Sequence, residues 1–124
     1  MASRVTLMTA LFDQFGAFLT ELSQMYPDDP DFSMFSTTIR LMRNTNPNLV
    51  VSNIYNATYP YEKQIMDRDE KFFLEKDFEE NKEEVDLDIM NKLKQYVGEM
   101  SETSKESVWK YCQNITRLAK ACQP

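Results

Sequence analysis

Histidine is missing altogether from the 124 residues. Its absence excludes His-based general acid–base chemistry, Ser–His and Cys–His nucleophile pairs, and most zinc and iron sites. Glycine is nearly as scarce: Gly16 and Gly98 are the only two, so no Gly-rich phosphate loop can form. With five prolines as well, the chain is too poor in turn formers for a strand-and-turn fold. Apolar runs long enough to cross a membrane are lacking, and so is an N-terminal signal-peptide pattern. Ala2 in place of Gly rules out N-myristoylation. The two cysteines, Cys112 and Cys122, fall on one expected helix with backbones roughly 15 Å apart, too far for a mutual disulfide. Reduced thiols in a cytosolic compartment are the expectation. Two sequons, at Asn56 and Asn114, carry little weight without a secretory signal.

What remains is ample for a core. Hydrophobic residues make up 42% of the chain and aromatics 12%. That composition argues against disorder of the whole chain and for one domain spanning residues 1–124. Eight methionines add adaptable packing surface.

The apolar residues repeat at helical spacing. Val5, Met8, Phe12, Phe15, Leu19, Leu22 and Tyr26 form a stripe at intervals of three and four. Leu11, Phe18 and Met25 widen it on one side. Thr9, Gly16 and Ser23 flank the other side, a small-residue edge that predicts close approach of a neighbouring helix. Pro27 ends this helix. Asp29 before Pro30 then reads as an N-cap with proline in the first turn, and Asn46 before Pro47 repeats the device. The second helix is expected to run to about Arg43 with Phe32, Phe35, Ile39 and Met42 inward. The third buries Val50, Val51, Ile54 and Tyr55 and breaks at Tyr59-Pro60. Tyr61, Ile65, Phe72 and Phe73 anchor a fourth, which Asp67-Arg68-Asp69 is placed to interrupt. Ile89, Leu93, Tyr96 and Met100 mark a fifth helix over about 87–100. Thr103 with Glu106 fits a capping box for the last helix. Its inward row is Val108, Cys112, Ile115, Ala119 and Cys122, with Trp109, Tyr111 and Leu118 alongside. The fold class is therefore all-α, a single bundle of five to six helices.

Charge is distributed unevenly. Eleven acidic and four basic residues lie between Asp67 and Asp88, whereas the rest of the chain is nearly balanced. The stretch near 75–88 is expected to be an acidic loop or frayed helix. It does not fit an EF-hand: from Asp67 or Asp86, neither the sixth nor the twelfth position carries the required Gly and Glu. No metal or cofactor is expected. Paired carboxylates such as Glu79 and Glu83 lack the His that a di-iron bundle adds, and no enzymatic activity is expected. Nucleic acid is a poor partner for a chain of pI about 4.7, whose only basic patch is Lys105, Lys110, Arg117 and Lys120 on the last helix. Partner binding is assigned instead to Asp69, Glu70, Phe72, Phe73, Glu79, Glu80, Glu83 and Glu84. There, clustered carboxylates beside an exposed phenylalanine would combine steering with an apolar anchor.

Three stretches together carry a family resemblance. They are Leu11-Phe12-Asp13-Gln14-Phe15 leading to Met25-Tyr26-Pro27-Asp28-Asp29-Pro30-Asp31-Phe32; Asn46-Pro47 through Tyr59-Pro60-Tyr61 to Asp69-Glu70-Lys71-Phe72-Phe73-Leu74; and Ser104-Lys105-Glu106-Ser107-Val108-Trp109-Lys110-Tyr111 with Ile115 and Leu118. The sequence resembles small helical proteins of nucleocytoplasmic large DNA viruses of the chlorella-virus type. Cys112 departs from the Leu expected at the Trp-x-Tyr motif. The resemblance implies a virion component made in host cytoplasm, a minor capsid or capsid-associated protein that bridges larger subunits. Its partners would be other capsid proteins or another copy of itself. A regulatory adaptor acting on viral transcription or assembly is the alternative.

Overall fold

Local capping chemistry sets where the helices begin. In the computed structural model, which describes residues 3–76 and 89–123, the Ser3 hydroxyl accepts the Thr6 amide hydrogen and opens α1, Arg4–Met25. Asp29 accepts from the Asp31 amide at 3.0 Å and, with Pro30 at the first position, starts α2, Pro30–Thr45. Helix α3, Pro47–Thr58, also begins on proline, but Asn46 makes no side-chain capping bond, contrary to expectation. A 3-10 turn at Tyr59–Tyr61 leads into α4, Glu62–Met66, and α5, Glu70–Glu75. Helix α6 is Ile89–Val97 and α7 is Glu102–Ala121. No strand occurs among the described residues, and the all-α bundle stands. The expected fourth helix is present as α4 and α5, broken where anticipated; Arg68, at the break, sits in the left-handed region with φ of 54°.

Helices α1 and α7 run antiparallel, and three polar contacts spaced along them fix the register. Arg4 Nε donates to the Cys122 carbonyl at 3.0 Å, Asn114 to Gln14 at 3.1 Å, and the Ser107 hydroxyl to Glu21 at 3.1 Å. Helix α2 packs on another side of α1, and Arg43 closes that seam with an ion pair to Asp13 at 3.0 Å while lying over the Phe12 ring. Because α1 is gripped from both sides, its buried face is broader than one stripe. Leu11 and Phe18 are as deeply buried as Phe12, Phe15, Leu19 and Leu22. One apolar core joins these to Phe32, Phe35 and Ile39 of α2, Val50, Val51 and Ile54 of α3, and Val108, Ile115 and Ala119 of α7.

Several expectations are overturned. Val5 is 73% exposed, since the first turn of α1 extends beyond the core. Gly16 does not admit a close neighbour: a Cβ there would meet nothing within 4 Å. Helix α7 is capped by Ser101, whose hydroxyl accepts from the Ser104 amide at 3.2 Å, so Thr103 lies inside the helix and forms no capping box with Glu106.

An apolar cavity with one unpartnered amide

Helix α3 presents Asn53, Ile54, Ala57 and Thr58 along one side, the i, i+1, i+4, i+5 pattern of a single helical face. Opposite, α7 contributes Val108, Trp109, Cys112, Ile115 and Thr116. Phe15 and Phe18 of α1 close the inner end. Glu70, Phe73 and Leu74 of α5, with Leu93, Lys94 and Val97 of α6, complete the wall. They enclose a cavity of about 120 Å³. Its inner side is fully buried, whereas Phe73, Leu74, Lys94 and Val97 are half-buried, so the α5–α6 side lies nearest the surface.

The polar groups of this lining are nearly all engaged. The Thr58 hydroxyl donates to the Ile54 carbonyl at 2.9 Å, and that of Thr116 to the Cys112 carbonyl at 2.7 Å. Lys94 donates to the Lys76 carbonyl at 2.6 Å. Glu70 pairs with Lys105 at 3.1 Å. Burial pushes the Cys112 thiol up to about 12, which keeps it protonated and a weakly polar wall rather than a nucleophile. Asn53 differs. It is 5% exposed, and neither its Oδ1 nor its Nδ2 has a hydrogen-bond partner.

A second polar cluster fastens α6 to the start of α2. Lys92 reaches Asp29 at 2.8 Å and Asp31 at 2.6 Å, and the Tyr96 hydroxyl donates to Asp29. Tyr96 stacks on Tyr26 with ring centroids 3.9 Å apart. The hydrogen bond from Lys92, then that from Tyr96, holds the Asp29 carboxyl down at about 2, and the same contacts raise Lys92. These residues form a structural clasp in which the carboxylate caps α2.

The residues assigned to partner binding fare unequally. Asp69 is the N-cap of α5, accepting from the Phe72 amide at 3.2 Å. Glu70 is drawn inward to Lys105. Neither Phe72 nor Phe73 is an exposed anchor: both are half-buried, edge to face at 5.2 Å, and each packs near Tyr61. Phe73 also lies 5.7 Å from the ring of Trp109. Two adjacent aromatics are accommodated because α5 sits between the Tyr61 turn and α7, a packing partner on either side. Glu79, Glu80, Glu83 and Glu84, and the expected loop around them, fall outside the described residues. The structure therefore gathers Glu70 and Phe73 into the cavity wall and leaves Asp69 at the surface.

Sequence reasoning missed Asn53. The signal was present, because Asn53 falls between Val50 and Ala57 in an apolar row at helical spacing. Among the described residues no group of three or more Cys, Asp or Glu is placed to hold a metal ion, and no helix is long and apolar enough to cross a membrane. No family model matches the chain, and no curated protein or solved structure shows significant similarity to it.

Proposed function

We propose that this chain is a non-catalytic interaction protein, a virion component of a large DNA virus that bridges larger capsid subunits. One observation carries the interaction role: the bundle fixes both borders of the carboxylate-rich segment. On one side Lys94 holds the Lys76 carbonyl at 2.6 Å; on the other, Lys92 ties α6 to Asp29 and Asp31. Anchored borders restrict where the carboxylates between them can go, which lowers the ordering cost of binding a basic surface. Phe72 and Phe73 play no part in this docking, because they are used within the fold. The viral setting rests on the resemblance in the three quoted stretches.

Purified particles should contain the protein at stoichiometric abundance. Its presence in infected cells but absence from particles would favour the adaptor instead. In a titration against dissociated virion proteins, affinity should fall as salt rises. It should fall again when Glu79, Glu80, Glu83 and Glu84 are changed to Gln. Indifference to both would remove the acidic segment from the interface.

A further inference from the structure

A buried amide without partners is costly, on the order of 1–3 kcal/mol for each polar group left unsatisfied. At position 53 the cost has no evident structural return. The apolar face of α3 would accept Leu, a side chain of similar volume with nothing to satisfy. Water is a poor remedy, because a buried water needs two to four polar partners. The other described polar groups of the lining are already engaged, by Lys105, by Lys76 and by backbone carbonyls.

The cavity has the size of a small ring. An apolar cavity of about 150 Å³ accepts benzene, and this one measures about 120 Å³. Phe15, Phe18, Phe73 and Trp109 supply broad apolar surface. No charged group in the described lining is left unpaired, so the cavity suits a neutral molecule. An asparagine amide shows a donor and an acceptor side by side. Its complement is an edge with an acceptor beside a donor.

We propose that this cavity is a binding site for a small, neutral, largely apolar molecule carrying a cis-amide or lactam edge, with Asn53 as the recognising group. The site is independent of the acidic segment and of the virion role. Ring burial against the aromatic wall provides affinity, and the paired hydrogen bonds with Asn53 provide selectivity.

The probe is δ-valerolactam, with N-methyl-δ-valerolactam as the counterpart that lacks the N–H donor. In nitrogen-15 correlation spectra of the full chain, δ-valerolactam should shift the Asn53 side-chain amide and the Trp109 indole signals saturably. The N-methyl compound should bind about tenfold or more weakly, the loss expected when a buried acceptor is left unpaired. Asn53→Leu should weaken δ-valerolactam by a similar factor and raise the melting temperature of the free protein. The proposal is overturned if the lactam gives no saturable shift at those two residues, as when water alone occupies the site. Equal affinity for the two lactams would also overturn it. So would an Asn53→Leu variant that melts lower than wild type, since the amide would then have a partner within the fold. The comparison of the two lactams uses the unmodified chain and stands whether or not the variant folds.

Discussion

Two regions of the molecule are held together by different forces. Helices α1, α2, α3 and α7 are 22, 16, 12 and 20 residues long and bury a continuous apolar core. Helices α4, α5 and α6 are 5, 6 and 9 residues long, too short to be stable alone. The short helices depend on polar ties to the long ones. Gln113 donates to the carbonyls of Ile65 and Met66, which lie at the end of α4. Lys120 pairs with Glu62 at 3.0 Å, Lys105 with Glu70, and Lys92 with Asp29. Burial of apolar area grows with helix length, whereas a directed hydrogen bond can position a single turn. The first mechanism makes a stable body. The second places short elements, and with them the borders of the acidic segment and one wall of the cavity.

The largest expected effect is in the core. Phe15 is 6% exposed, and Phe15→Ala should cost about 3–5 kcal/mol in urea melts. Trp109 is only half-buried, at the wall shared with α5, and Trp109→Ala should cost on the order of 1–3 kcal/mol. Equal losses would mean that the cavity wall is as integral to stability as the bundle, and the contrast between the two regions would fail.

The bundle was legible because its rule is local. Apolar spacing of three and four, with Asp29-Pro30 and Asn46-Pro47 as starts, marked α1, α2 and α3. The rest depended on long-range geometry. Three candidate caps, Ser101, Thr103 and Ser104, lie within four residues. Helix α7 begins on the first of them, and its hydroxyl meets that of Ser104 at 3.1 Å. The inward turn of Phe72 and Phe73 follows from where Tyr61 and Trp109 stand, which no local pattern encodes. The pairing of Lys92 with Asp29 joins residues far apart in the chain. Of the candidate site, the aromatic wall was readable as core, whereas Asn53 passed unnoticed within an apolar row.

The clasp at Asp29 is the next test, and it has a pH signature. Its carboxyl is held at about 2 in the folded chain, against about 3.9 when unfolded. A depressed folded pKa contributes stability that is complete above the unfolded value and is lost as pH falls through the folded one. Stability should therefore drop between about pH 4 and pH 2. Asn caps helices about as well as Asp, so Asp29→Asn isolates the interaction with Lys92 and Tyr96. At neutral pH the variant should melt about 5 °C lower, and its melting temperature should fall less steeply below pH 4 than that of wild type. Parallel curves for the two proteins would show that α6 is held by apolar contacts alone, as the bundle is.

The smallest effect expected is a gain, in the turn that divides α4 from α5. Arg68 is exposed and takes φ of 54°, a region that costs a side chain about 1–2 kcal/mol and glycine almost nothing. The strain is maintained by the backbone around it: the Arg68 amide donates to the Ile65 carbonyl at 3.2 Å, and the Asp69 amide to that of Gln64 at 3.0 Å. Arg68→Gly should relieve it and stabilise the chain by about 0.5–1 kcal/mol after the extra freedom gained in the unfolded state. Arg68→Ala is the control, because it removes the guanidinium but keeps the Cβ that makes this conformation unfavourable. Alanine should give no gain. If the two variants are equally stable, the left-handed turn contributes no strain, and the charge of Arg68 among Asp67 and Asp69 is what the substitution altered. A gain confined to glycine would show that the short-helix region accepts backbone strain to set the direction of α5, and so the position of Phe73 against Trp109.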